Sequence, residues 1–291
     1  MKISEELKRA GQHVIKTINE VEVEYLGLLQ NTADVDTASF IENEKYLDDI
    51  GDNVRVVITN QELAERIGGR RGVCVVDNPK ISFFLLHNFL VSNCTEYVLK
   101  KTGTRYGAYC DISSRAQIAS ENVLIGNNVT IEENVVIYEN TIIEDDAVIH
   151  AGCIIGGIGF ECKKNEGAVF TVKHAGSVKI GQGSEIGYNT CVAKALYPWD
   201  CTQIGDYCRI DNLVQISHGV KIGARGIIAA GSKIAGRVVI GDDVWLGIGC
   251  TVSNGLYLGN NSKVDIGSVV IRNVKDNCEV FGNPARALKN I

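Results

Sequence analysis

The chain has 291 residues, 45% hydrophobic and 22% charged, with 31 Gly and only 3 Pro, a globular composition with room for one to three domains. Its formal net charge of −6 argues against a nucleic-acid partner, which calls for a basic surface. The opening residues do not read as a signal peptide, no apolar run reaches membrane-spanning length, and the 10 Cys include no C-x-x-C pair. A cytoplasmic protein with free thiols is expected, without membrane insertion, disulfides or a metal site.

Residues 4–18 read as an amphipathic helix, with Ser4 as its cap and Leu7, Val14, Ile15 and Ile18 on one face. Val54–Thr59 and Val73–Val76 read as strands, with a helix over Gln61–Ile67 between them and a second apolar helix from Pro79 to Leu90. These elements predict a small α/β domain over residues 1–106.

A different rule governs residues 107–272. Ile112 and Ile118 are six apart; one extra residue precedes Ile125, and Ile131, Ile137, Ile143, Ile149 and Ile155 then keep step. From Ile180 to Val270 every sixth residue is aliphatic except Pro198, and Gly often follows it, as at Gly181, Gly205, Gly223 and Gly241. Neither a helix nor a flat strand repeats every six residues, whereas a parallel β-helix does. The aliphatic side chains are expected to line a narrow bore, and the glycines to supply the backbone angles of the corners. Residues 156–176 interrupt the period and predict an extruded loop. A smaller irregularity surrounds Tyr197-Pro198-Trp199, and residues 273–291 form a C-terminal tail.

Of five His, His13 and His87 lie on predicted helices and read as packing or surface residues. His150 sits at a corner. His218 lies in Asp211-Asn-Leu-Val-Gln-Ile-Ser-His218, where polar groups crowd an otherwise aliphatic wall. Imidazole is the natural general base near neutral pH. Three hexads make one coil, so Gly236, eighteen residues on, falls in the next layer, where its bare N–H is suited to an oxyanion. From the period alone, His218 is equally a plain corner residue. His150, His174 and His218 are 24 and 44 residues apart, which disfavours a zinc site.

The hexads resemble those of the left-handed β-helix acyltransferase superfamily, whose coil departs from the usual right-handed crossover. Ala38-Ser-Phe40-Ile-Glu-Asn43-Glu-Lys45-Tyr46 resembles the F-x-x-N-P-K-Y motif of the UDP-3-O-acylglucosamine N-acyltransferases of lipid A synthesis. Ile210–Gly223 resembles that family's I-D-N-x-x-Q-I-A-H-N-V-x-I-G, and Gly156–Phe160 its G-x-D-G-F loop. The resemblance implies a mainly β fold, a left-handed parallel β-helix behind a small α/β nucleotide-binding domain. It implies His218 as base, Gly236 N–H as oxyanion donor, and Phe40, Asn43 and Tyr46 around a uracil. It also implies a homotrimer with sites between subunits.

Two departures redirect this reading. Gly282-Asn283-Pro284-Ala285-Arg286 resembles the tail of coenzyme A-dependent acetyltransferases, implying acetyl- or short acyl-coenzyme A as co-substrate, with Lys289 beside Arg286 toward its phosphates. The family's I-D-R-G is replaced by Val192-Ala-Lys194-Ala-Leu196. Val172-Lys-His174-Ala-Gly176 resembles a P-H-x-G of surface-sugar relatives, implying an acceptor contact at His174. The expectation is a nucleotide-sugar N-acetyltransferase. Sugar O-acetylation, a lipid A-type enzyme using acyl carrier protein, and a non-catalytic trimeric platform are the alternatives.

Overall fold

The computed structural model describes residues 1–30, 34–67, 69 and 71–290. It divides into two compact units.

The first unit holds Met1–Lys100 with Glu161–Ala175 and Tyr197–Trp199. Its sheet runs in the order Lys16–Ile18, Gly72–Val75, Val54–Thr59, Thr37–Ile41, Tyr25–Leu26. Only the first pairing is antiparallel. Val54, Val57, Val73 and Val75 pack with Leu63 and Ile67 of the helix Gln61–Ile67. The helix Pro79–Asn93 begins with Asn78 accepting the Ile81 N–H at 3.2 Å and proline in its first turn.

The expected helix over residues 4–18 is shorter, Ile3–Arg9. Gly11 turns left-handed at φ 74°, and Lys16–Ile18 instead pairs antiparallel with Gly72–Val75. Ser4 is not the cap; it lies inside the helix and donates its hydroxyl to Glu20. His87 is fully buried, its Nδ1 3.0 Å from the Tyr97 hydroxyl and its Nε2 2.9 Å from the Lys173 carbonyl. Burial lowers its pKa to about 4, which leaves a neutral packing residue. His13 is exposed, 3.5 Å from Asp77.

The interruption after Gly157 is no irregular loop throughout. Cys162–Asn165 and Ala168–Thr171 form an antiparallel hairpin, closed by Glu166 and Gly167 at φ 46° and 83°, the pair of positive angles that two-residue hairpins favour. The Lys163 ammonium lies over the Phe84 ring at 4.4 Å. Trp199 donates to the Leu26 carbonyl at 2.8 Å and stacks on Tyr197.

The second unit is a left-handed parallel β-helix with three faces. The first face starts at Arg105–Tyr106, the second at Asp111–Ile112 and the third at Gln117–Ile118. Parallel ladders pair Ile204 with Ile222, Ile210 with Ile228 and Ile216 with Ile234, so one coil takes eighteen residues. The aliphatic series from Ile180 onward is at most 2% exposed. Burying one such side chain is worth about 1.5–3 kcal/mol, so the bore is the core that two-residue strands cannot build alone.

The glycines after the aliphatic residues are needed for a reason other than the one their spacing suggested. A Cβ on Gly205 would stand 2.6 Å from the Gly223 carbonyl carbon, and one on Gly223 2.7 Å from that of Gly241. Close stacking of coils excludes the side chain. The left-handed residue is two places later, and it is Tyr207, Leu213, Arg225, Arg237 and Asp243 as well as Gly219 and Gly231. A buried small polar group often closes the corner: Ser184 donates to the Gly205 carbonyl at 2.7 Å, Thr190 to that of Asp211 at 2.8 Å, and the Cys208 thiol to that of Gly223 at 3.1 Å. All ten cysteines are free thiols.

The C-terminal segment is more ordered than a tail. Cys278–Gly282 extends the second face in parallel from Lys263–Val264, and Ala285–Asn290 returns antiparallel to it. The Gly282 N–H donates to Ser268 Oγ at 3.1 Å, which places the turn at the corner between the second and third faces. Among the described residues, no helix is long and apolar enough to cross a membrane.

Candidate active site

The corner joining the third face to the first concentrates the irregular features of the coil. The chain leaves the β-helix there after Gly157, and again after Ala193, before rejoining the first face at Ser177 and Cys201. In the next coil the strand Gln215–Ile216 feeds the same corner, and His218 is its second residue beyond the strand. The ladder pairs Ile216 with Ile234, so Gly236 takes the equivalent place one coil on.

His218 is 7% exposed. Its carbonyl accepts the Arg237 N–H at 2.9 Å, which ties the two corners together. Gly219 turns left-handed at φ 68° and donates its N–H to Thr202 Oγ1 at 2.8 Å. Asp200 stands beside this corner and accepts from Lys221 Nζ at 2.7 Å.

Gly236 has no left-handed angle that would demand glycine. The His218 ring demands it: a Cβ there would stand 2.6 Å from Nε2 and 2.8 Å from Cε1. The imidazole therefore rests against bare backbone. At comparable corner positions a side chain takes the N–H: Asp242 takes that of Ala224, Asp211 that of Ala230, and Asn260 that of Asp242. Among the described residues none takes the Gly236 N–H. The arrangement sets a base and a backbone donor side by side.

A cleft of about 280 Å³ opens on the third face next to this corner, bounded by Ile158, Phe160, Cys191, Ala193, Gln215 and Ser217. Phe160 and Ile158 are strongly exposed for apolar side chains. The Gly156–Phe160 segment singled out in the sequence thus forms a wall of the cleft that Ser217, the neighbour of His218, also lines.

One coil earlier Lys194 occupies the corner position of His218, since Val192 pairs with Ile216. Its ammonium is 3.0 Å from Glu139. Spacing did not expose this pair, because the residues are 55 apart across the interruption.

The remaining expected site residues divide between the units. Phe40, Asn43, Tyr46 and His174 belong to the first. Phe40 ends on a strand and packs on Phe83 and Phe84, with ring centroids 5.0 and 5.7 Å away. The Asn43 side chain caps the short 3-10 helix Glu44–Asp49 by accepting the Lys45 N–H at 3.1 Å. Tyr46 is exposed, with Lys45 Nζ 4.7 Å from its ring centroid. His174 is buried, its Nδ1 3.1 Å from the Val172 carbonyl. Gly282, Asn283, Pro284, Ala285 and Arg286 form the turn at the second-to-third-face corner, with Arg286 exposed. Gly236 lies at a different corner, so one chain does not bring the turn to His218. The side chain of Lys289 lies outside the described residues.

His150 is a separate construction at the second-to-third-face corner. Its Nδ1 meets Glu132 at 3.0 Å and its Nε2 meets Glu185 at 2.8 Å, while Tyr188 stacks on the ring at 4.7 Å. Burial opposes its charge, but the hydrogen bonds to Glu185 and Glu132 outweigh it and raise the pKa. Among the described residues, no group of three or more His, Cys, Asp or Glu is placed to hold a metal ion.

The family of bacterial transferase hexapeptides (six repeats) matches residues 122–157 and 201–236. The UDP-3-O-acylglucosamine N-acyltransferase of Caulobacter sp. (strain K31) is 34% identical over 140 residues, 48% of this chain and 41% of that protein. Its namesake in Rickettsia rickettsii (strain Sheila Smith) is 48% identical over 91 residues, 31% of this chain and 26% of that protein. The chain thus spans less than half the length of these curated relatives. Among solved structures, a UDP-N-acetylglucosamine acyltransferase from Campylobacter jejuni shares the fold at a TM-score of 0.58 and 22% identity, over 65% of this chain and 71% of that one. The Arabidopsis protein of that name gives 0.53 and 24%, over 64% and 69%. The second unit is a left-handed β-helix, residues 122–157 and 201–236 of the chain match the bacterial transferase hexapeptide family, and the chain is similar in sequence over part of its length to the UDP-3-O-acylglucosamine N-acyltransferases.

Proposed function

We propose that the protein is an acyltransferase that moves an acetyl or short acyl group from acyl-coenzyme A to the amino group of a nucleotide-linked sugar of the UDP type, in surface polysaccharide or lipopolysaccharide synthesis. The observation that carries this reading is the seating of the His218 ring on Gly236, 2.6 Å from where a Cβ would stand. The acceptor nitrogen attacks the thioester carbonyl carbon while His218 takes the N–H proton. The carbonyl electron pair moves onto oxygen, where the Gly236 N–H donates a hydrogen bond. The C–S bond then breaks, and the imidazolium returns its proton to the departing sulfur.

In this reading Phe40, Asn43, Tyr46 and His174 serve the nucleotide sugar, and Gly282–Arg286 serves the coenzyme. A homotrimer completes it: the turn and His218 lie at different corners of one chain, and a site between copies lets one copy's turn serve its neighbour's His218. Similarity to the UDP-3-O-acylglucosamine N-acyltransferases favours a second reading, transfer of a longer acyl group from acyl carrier protein to such an acceptor. Mass spectrometry of UDP- and dTDP-amino sugars incubated with acetyl-coenzyme A tests the first. A single added acetyl, lost in His218→Ala, is the expected result. Turnover that survives His218→Ala refutes the mechanism, and turnover only with acyl carrier protein selects the second reading.

A further inference from the structure

The corners of the β-helix follow a rule for Asn and Asp. Where such a residue stands two places beyond an inward aliphatic residue, its side chain turns to the preceding coil and accepts the N–H of the residue at the same place there. Asn127 takes that of Ala108 at 2.9 Å, Asn212 that of Tyr188 at 2.7 Å and Asn260 that of Asp242 at 2.9 Å. The aspartates at this place, such as Asp242 and Asp276, do the same, and the distances all lie within 2.7–3.1 Å.

Asn254 stands at this place too. Val252 pairs in parallel with Ile234, so Asn254 follows Gly236 by one coil, as Gly236 follows His218. The Gly255 N–H donates to the Gly236 carbonyl at 3.0 Å and holds that register. The rule calls for the Asn254 side chain to take the Gly236 N–H. It does not: among the described residues that N–H has no acceptor, and the exposed Asn254 side chain makes no hydrogen bond. The donor is left open by the very residue placed to close it.

The other corners show what Asn254 can reach. An oxygen that takes the Gly236 N–H fills the space that the side-chain Oδ1 fills elsewhere. Oδ1 and Nδ2 of an amide share one carbon, so the torsion that withdraws Oδ1 from this space turns Nδ2 toward the incoming oxygen. A carboxamide has two N–H donors and no charge, whereas a carboxylate has none and repels a negative oxygen. The His218 ring covers Gly236 from the preceding coil, and Asn254 lies on the following one. A carbonyl seated on the Gly236 N–H therefore has the base on one side and the amide on the other.

We propose that Asn254 is a second oxyanion donor, an inference that rests on the proposed function and adds a catalytic residue to it. As the acceptor nitrogen attacks the thioester carbon, the carbonyl electron pair moves onto oxygen, and that oxygen accepts from both the Gly236 N–H and Asn254 Nδ2. When the C–S bond breaks, the pair returns and the carbonyl re-forms in the new amide. Asn254 gives up no proton.

The test measures initial rates of wild type, Asn254→Ala and Asn254→Asp with acetyl-coenzyme A and the UDP-amino sugars that the wild type accepts. Asn254→Ala should lower kcat by about 10²-fold, the cost of removing one oxyanion donor, with both KM values little changed. Its thermal midpoint should match wild type, because the side chain is exposed and unbonded. Asn254→Asp should be slower still, since its carboxylate takes the Gly236 N–H as Asp242 takes that of Ala224. The loss should be the same factor on every acceptor, because the thioester oxygen is common to them all. Infrared difference spectra of bound acetyl-coenzyme A with an isotope-labelled carbonyl, recorded without acceptor, should show the stretch at lower frequency in wild type than in Asn254→Ala. Activity of Asn254→Ala equal to or above wild type, a loss that varies with the acceptor, or an unmoved carbonyl stretch overturns the inference alone. Failure of the wild type to acetylate any amino sugar overturns the proposed function and this inference with it.

Discussion

Gly236→Ala separates folding from chemistry. The backbone at Gly236 accepts alanine, since its φ is not left-handed. The added methyl meets His218 Nε2 at 2.6 Å, where ordinary contact begins at 3.4 Å, so the ring must retreat by 3.4 − 2.6 = 0.8 Å. A side chain can make that move, and the variant should fold with an unchanged thermal midpoint. Misplacing a catalytic group by about 1 Å costs on the order of 10²-fold in rate, so kcat should fall by about that factor. The assay is chromatographic separation of acylated from free UDP-amino sugar in initial-rate runs, beside His218→Ala and the double variant. Because both substitutions act through one imidazole, the double variant should be no slower than His218→Ala. Activity of Gly236→Ala within about threefold of wild type, or losses that multiply, would refute the argument that the ring is held against this glycine for its chemistry.

Gly205→Ala should do the opposite, because what its Cβ meets is the Gly223 backbone at 2.6 Å, which cannot rotate away. A loss of about 1–3 kcal/mol should lower the thermal midpoint by several degrees in a calorimetric scan, and an unchanged midpoint contradicts close stacking as the reason for glycine. His150 predicts a pH dependence. Its folded pKa is raised, so its contribution is complete below about pH 6.5 and is lost as pH rises through the higher folded value. Urea unfolding at pH 6 and pH 9 should show wild type losing on the order of 1 kcal/mol more than His150→Gln across that range, and equal losses in the two would mean that the two carboxylates do not hold the ring.

The bore was legible because its rule is local. Each sixth residue from Ile180 to Val270, Pro198 apart, points inward whatever the neighbouring coil contains. The same regularity places Gly236 beside His218 from the eighteen-residue interval alone. Where the answer depended on a distant partner, spacing misled. Val14, Ile15 and Ile18 keep helical intervals, yet Gly72–Val75 draws Lys16–Ile18 into a sheet from over fifty residues away. The spacing of the glycines after the aliphatic residues suggests a need for backbone freedom, whereas the constraint is the next coil. Val169-Phe-Thr171 after a glycine was the available signal for the hairpin. Lys194 and Glu139 carried none, because their register passes through a coil of irregular length.

The ladders also define where the chain tolerates changes of length. Ile143 pairs with Ile180 across 37 residues and Ile180 with Ile204 across 24, yet both steps advance the wall by a single strand. Both long steps precede His218. From Ile204 to Val270 each step is eighteen. Inserted sequence at the corner is therefore invisible to the bore when it begins and ends on the same rung. A whole additional rung between His218 and Gly236 would part them by one strand spacing while leaving every hydrophobic contact intact. Natural variants of this architecture should accordingly differ freely in length upstream of the histidine and hold the eighteen-residue interval after it fixed. In that interval a well-folded insertion is a silent loss of function.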